Sequence, residues 1–323
     1  MSLHENIFRH PALRDAPPVL VDVGASHKMH PLWRRLAPYA IGVGFEPDQR
    51  ENAAMNAPAK AFKRWISCDR VVVAGTETSS PFYLTQSPYC SSTLPPDLAA
   101  LSNWTFADLF EVKEKQTLPA TQLAAVLQSH GLVHLDWLKC DTQGTDLRIF
   151  LSLPLEIRRR ILTVEFEPGL IDAYQGEDKL FTVLAAMEHE PFWIAQMEMQ
   201  GVSRGRRANL DKRLGPAWTK AYLNFGPVAP GWANMAYLHR MAGADGLGAR
   251  EYLLAWVFAT ELNQPAFALE LAESGQEQFN DDLFGELAAA SVRGMRWAVV
   301  QAWPRWPSKL WHKFIQRPVS GEK

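Results

Sequence analysis

Short apolar runs separated by amphipathic stretches set the frame of this chain. Pro18-Val19-Leu20-Val21-Asp22-Val23-Gly24 is rich in valine and closes on glycine, the mark of a strand buried on both faces. Ala40–Phe45 is a second such run and ends on Glu46-Pro47. Between them, Leu32, Trp33, Leu36 and Ala37 fall on one face of a predicted helix. Asp48–Asn56 reads as a polar helix, and Ala61–Ile66 and Val71–Ala74 as further strands. Phe82–Thr85 has the alternation of a hairpin arm. Periodicity then lapses from Gln86 to Lys115, a connection long enough to suggest a functional loop.

The alternation resumes with a helix over Thr121–Ser129 and a strand over Leu135–Cys140 that runs into Asp141. A helix over Asp146–Ser152, a strand over Ile161–Phe166 ending on Glu167-Pro168, a helix over Phe181–His189 and a strand over Phe192–Met197 follow. Ala221–Phe225 and Met235–Leu238 fit either short strands or loop. Strands and helices in this alternation predict an α/β fold with a doubly wound, mostly parallel sheet. From Gly243 the pattern becomes helical, over Glu251–Leu262, Ala266–Glu273 and Asp282–Val292. A boundary near Ala242 therefore divides the chain into residues 1–242, the α/β domain, and 243–323, a helical C-terminal region.

The 323 residues carry a net charge of −2, which offers no global attraction to nucleic acid. The three cysteines, Cys68, Cys90 and Cys140, are too few and too far apart for a disulfide framework or a zinc cluster, and fit a reducing cytosol. The first sixteen residues lack the apolar core of a signal peptide, and no stretch has the ~20 apolar residues of a spanning helix. A cytoplasmic protein is expected. Val292–Pro318 is different, with six Lys or Arg, no acid and five Trp or Phe. This composition suits peripheral membrane contact, and equally a tail docked on the main domain.

In an open parallel sheet, ligands bind beyond the carboxyl ends of the strands. Four successive predicted strand ends carry acids: Asp22, Glu46, Asp141, and Glu165 with Glu167. The first turn, Asp22-Val23-Gly24-Ala25-Ser26, has one glycine and lacks the repeated glycines that let a pyrophosphate press on bare backbone. This disfavours a nicotinamide-dependent oxidoreductase. An acid beside the turn suits a cationic ligand without phosphates, and the plain alternative is an incidental Asp in a strand–turn–helix. Glu46 stands about twenty residues after Gly24, where a carboxylate accepts the hydroxyls of a ribose. Its plain alternative is a solvated loop acid.

Val21–Ser26, Gly44–Pro47, Ser91–Leu94, Leu138–Asp146 and Val164–Glu167 together resemble, in order and spacing, the blocks of FkbM-type methyltransferases. The resemblance implies a class I methyltransferase Rossmann-like fold and S-adenosyl-L-methionine as cofactor. It places Asp22, Gly24, Ala25 and Ser26 at the methionine end, Glu46 at the ribose, Asp141 and Gln143 near the transferable methyl, and Ser92 with Ser91 in a loop beside it. It also implies O-methylation of a hydroxyl on a sugar, glycan or related natural product. Ser26, His27–His30 and Asp146 depart from residues common in the family.

A hydroxyl acceptor needs a base, for which the candidates are Asp141, Glu167, His27 and His30. Asp141 is preferred because it ends the central strand; a structural acceptor in its turn is the competing role. Glu165 and Glu167 share a face by period two, so like charges there would raise one pKa. With Asp141 they also form a minor candidate for a divalent cation, though no metal is expected. A non-catalytic cofactor-binding or scaffold protein, recruiting a partner through its helical end, is the alternative function.

Overall fold

The computed structural model describes residues 3–25, 29–48, 50, 58–242 and 246–302. Ten strands form two sheets: β1 Val19–Val23, β2 Ile41–Phe45, β3 Arg64–Cys68, β4 Val71–Val72, β5 Ser79–Thr85, β6 Val112–Thr121, β7 Trp137–Cys140, β8 Thr163–Phe166, β9 Phe192–Val202 and β10 Ala229–His239. The large sheet has the order β3-β2-β1-β7-β8-β10-β9. The strands from β3 to β8 are parallel, and β10 runs antiparallel to both β8 and β9. Thus the expected doubly wound, mostly parallel sheet is present. The small sheet, β4-β6-β5, lies outside it.

The helices are α1 Leu3–Arg9, α2 Pro11–Asp15, α3 Leu98–Leu101, α4 Leu123–Ser129, α5 Asp146–Leu151, α6 Leu155–Arg158, α7 Leu180–Met187, α8 Arg207–Leu214, α9 Pro216–Phe225, α10 Ala249–Glu261, α11 Pro265–Phe279 and α12 Asp282–Ala302. Because side chains alternate along a strand, β1 and β7 feed two cores. Val21, Val23 and Leu138 join α4, α5 and α7 on one face. Leu20 and Trp137 face the other, against α1, α2 and the helices α10 to α12. Burial around nearly the whole circumference of α10 follows from its place between the sheet and its two helical neighbours. The C-terminal helices thus share one core with the sheet.

Several predicted elements change form. The face of Leu32, Trp33, Leu36 and Ala37 belongs to two 3₁₀ turns, Pro31–Arg35 and Ala37–Tyr39, rather than to an α-helix. Pro38 lacks the N–H that a continuous helix needs at that point and restricts the residue before it. The aperiodic stretch 86–115 contains α3, two 3₁₀ turns and the start of β6, which pairs antiparallel with β5 and completes the hairpin whose first arm is Phe82–Thr85. Its apolar residues Cys90, Leu101 and Phe110 meet Ala173 and Tyr174 in a satellite cluster, so no simple period shows in the sequence. Ala221–Phe225 is helical, within α9, and Met235–Leu238 lies inside the long strand β10. Most of Asp48–Asn56 lies outside the described residues.

Candidate active site

The strands β1, β2, β7 and β8 end side by side, and their following turns border a cavity of about 450 Å³. Gly24 makes the first turn. Its φ of +91° is natural to glycine, and a Cβ there would stand 2.1 Å from the Asp141 carbonyl oxygen. The N–H groups of Gly24 and Ala25 both donate to the Phe45 carbonyl, at 3.0 Å each. Three strand ends are therefore drawn together with nothing but backbone between them.

Glu46 is buried at the cavity wall, and its Oε1 accepts the Asp48 N–H at 2.9 Å. Burial, more than the neighbouring acids Asp48, Asp22 and Asp141, pushes its pKa up to about 7. Asp48 in turn holds Arg50, whose guanidinium also donates to the Thr85 carbonyl and the Ser91 hydroxyl, each at 2.9 Å. Arg50 thereby latches the turn after β2 to the loop after β5. The sequence marks it only as one charge in a polar segment.

Asp22 is 4% exposed, and its carboxylate accepts from Lys139 Nζ at 2.8 Å. Strand register puts Asp22, Lys139 and Glu165 in one row across β1, β7 and β8. Glu165 accepts from the Trp137 indole at 2.5 Å and stands 3.2 Å from His30 Nε2. Glu165 and Glu167 therefore do not form the expected acid pair: Glu165 sits in this row under the rim, and Glu167 lines the cavity. The partner of Glu167 is Asp141. Burial first, then the charge of Asp141 and the hydrogen bond to it, hold the Glu167 carboxyl well above the ordinary carboxylate range. The fold thus favours the protonated form of Glu167.

The turn after β7 is the most elaborate. Asp141 Oδ1 accepts from Gln143 Nε2 at 2.9 Å, while its other oxygen lies 3.8 Å from Lys139 Nζ. Gln143 takes φ +59° and Gly144 φ +106°. The Gln143 Oε1 is 3.1 Å from the Tyr174 hydroxyl, which also lies 2.8 Å from the Cys90 carbonyl. Ser92 is outside the cavity lining. Its hydroxyl donates to the Gln143 carbonyl at 2.8 Å and accepts the Leu94 N–H at 3.1 Å, tying the loop to the turn. Asp146 is buried at the head of α5: Oδ1 accepts from the Thr142 N–H and hydroxyl at 2.8 and 2.6 Å, and Oδ2 from the Glu167 N–H at 2.9 Å. It clasps two rim turns together, a role that position in a helical pattern does not reveal. Its burial raises its pKa to about 6.

Gly24, Glu46, Asp141, Gln143 and Glu167 meet at one cavity, Ala25 forms part of the turn, and Asp22 supports it from beneath through Lys139. Ser26 and His27 lie outside the described residues. Among the described residues no group of three His, Cys, Asp or Glu side chains is placed to hold a metal ion. Opposite the acids the wall is aromatic. Phe106 stacks on Trp232 with ring centroids 6.2 Å apart, and Phe110 packs against both Phe106 and Tyr174.

A seven-stranded, mostly parallel sheet with an antiparallel β10 and acids at its carboxyl edge has the architecture of a class I methyltransferase. The chain matches the model of the methyltransferase FkbM domain over residues 22–191, more than half its length, and belongs to that family. No curated protein and no solved structure matches it.

Proposed function

We propose that the protein uses S-adenosyl-L-methionine to methylate a hydroxyl group on a sugar, glycan or related small molecule. The observation that carries this reading is the convergence of Gly24, Glu46 and Asp141 on one cavity. The residues suit the cofactor. At Gly24 any Cβ would collide with the β7 turn, so glycine lets two turns that border the cavity close on each other. Glu46 is a buried carboxyl with acceptor capacity left over after its one backbone bond. The hydroxyls of a ribose can donate to it, which stabilises its ionised form. The acids Asp141 and Glu46 favour a cation and oppose a pyrophosphate.

When bound, S-adenosyl-L-methionine supplies an activated methyl group for in-line displacement. This chain aligns the acceptor, excludes water and removes a proton. Asp141 Oδ2 is the base. Its hydrogen-bond partners Gln143 and Glu167 fix its orientation. The Phe106–Trp232 wall offers flat apolar surface to the ring faces of an acceptor. The scaffold alternative makes a different prediction, namely no binding of the cofactor. Isothermal titration with S-adenosylmethionine and its demethylated product tests the reading: micromolar binding of both is expected, and absence of both would overturn it. For location within the cell we propose the cytoplasm. Among the described residues no helix is long and apolar enough to cross a membrane. Of the basic tail Val292–Pro318, the part up to Ala302 continues α12, and the part from Trp303 lies outside the described residues.

A further inference from the structure

The excursion between β9 and β10 has no place in the site above. β10 runs against the parallel strands and Val202 pairs with Ala229, so residues 203–228 leave the sheet at its carboxyl edge, the edge that carries the cavity. The base of this arm is pinned to the cavity loop. The Thr105 N–H and hydroxyl donate to the Ser203 carbonyl at 3.2 and 3.1 Å, the Gly205 N–H donates to Asn103 at 2.7 Å, and Arg204 lies over the Trp104 ring. Beyond the base, α8 and α9 pack on little else. Thr219 is the one buried residue of the two helices.

The outer surface of the arm has a definite chemistry. Trp218, Tyr222 and Phe225 follow helical spacing along one face of α9, with Trp218 73% and Phe225 89% exposed. Leu214 and Val228 are exposed beside them, and Leu109, which lines the cavity, is exposed on the same edge. Contiguous large apolar side chains in water mark a surface that something covers. The segment also holds six cations, Arg204, Arg206, Arg207, Lys212, Arg213 and Lys220, against Asp211 alone. Asp211 is paired with Arg207 at 3.6 Å. Arg206, Lys212, Arg213 and Lys220 have no acidic partner among the described residues.

Exposed aromatic side chains on α9, with unpaired cations on and before α8, fit the interface of an anionic bilayer, where rings enter the headgroup region and bases meet lipid phosphates. A second copy of this chain is a poor occupant, because two identical arms would bring cations against cations. We propose that the α8–α9 arm docks on an anionic membrane surface and sets the cavity mouth against it, so that the hydroxyl acceptor is one carried by a lipid. The docking stands on the arm alone; the nature of the acceptor rests on the methyl-transfer reading.

The full chain is sedimented with vesicles of phosphatidylcholine, alone or mixed with phosphatidylglycerol. Binding is expected only to the mixed vesicles and is lost at high salt. Trp218→Ser with Phe225→Ser, and separately Arg206→Gln with Lys212→Gln and Arg213→Gln, are each expected to lower the bound fraction about tenfold or more, with an unchanged thermal midpoint because these side chains are exposed. Absence of wild-type binding would overturn docking. So would undiminished binding by both variants, since attachment would then belong elsewhere, or a wild-type dimer in light scattering that both variants abolish while no vesicle binding is seen. Cofactor titration on the same preparations separates the two readings: vesicle binding without S-adenosylmethionine binding removes methyl transfer and leaves docking intact.

Discussion

At the scale of single residues, burial decides which acid does what. Glu46 has its pKa pushed up to about 7 from 4.5, so the fold favours its protonated form. The stability contributed by that proton is complete below about pH 4.5 and is lost as pH rises through 7. Glu46→Gln is therefore expected to stabilise the free protein by roughly 2–3 kcal/mol at pH 8 and to change little at pH 4, measured by denaturant unfolding. The same change should weaken S-adenosylmethionine binding about tenfold or more, as read by titration calorimetry. Wild-type affinity should rise with pH through 7, because the ionised carboxylate is the better acceptor. For the Asp141–Glu167 pair the expected outcomes diverge. Burial favours the protonated form of Glu167, so Glu167→Gln should retain most of kcat, whereas Asp141→Asn should lower kcat by about 10²–10⁴-fold. Equal losses in a single-turnover assay would contradict this division of roles.

At the scale of elements, the site is built where strand ends are held at contact distance. Gly24→Ala places a methyl in the β7 turn and strains a φ of +91°. Thermal unfolding should report a loss of more than about 2 kcal/mol, together with loss of cofactor binding. Asp146 performs a related task with side-chain oxygens. Removing it in Asp146→Ala leaves the Thr142 and Glu167 N–H groups without their acceptor. A penalty of about 2–4 kcal/mol is expected, and a near-neutral result would show that the two turns hold each other without it.

Across the whole molecule, the N-terminal helices, the sheet and α10 to α12 close on a shared core. Buried Arg250, from α10, makes two 2.8 Å bonds to Asp136 and donates to the Ala16 carbonyl at 3.0 Å, while Asp136 accepts the Val19 N–H at 2.8 Å. One guanidinium therefore ties the helical region to the starts of β1 and β7. Arg250→Met leaves Asp136 buried without its cation and should cost about 3–5 kcal/mol. Calorimetry should give one transition for sheet and helices together; two resolved transitions would show that residues 243–302 fold apart from the rest.

Residue order along this chain was enough to determine the strands at Val19, Ile41, Trp137 and Thr163, their parallel arrangement, and the acids that follow them, because buried parallel strands are apolar on both faces and end in turns that local chemistry dictates. The family was legible for the same reason, since its motifs lie in those turns. Side-chain pairing was not. Nothing local in Asp22 shows that Lys139, 117 positions away, takes its charge, nor that Glu165 turns to His30 and Trp137 while Glu167 turns to Asp141. Those choices depend on strand register and on which side of the rim each carboxyl is buried. The same holds for the α8–α9 arm, where Ala221–Phe225 fits strand or loop by sequence and the packed structure leaves the aromatic residues of a helix in water. Burial and charge pairing are properties of the assembled chain, and only the tertiary structure decides them.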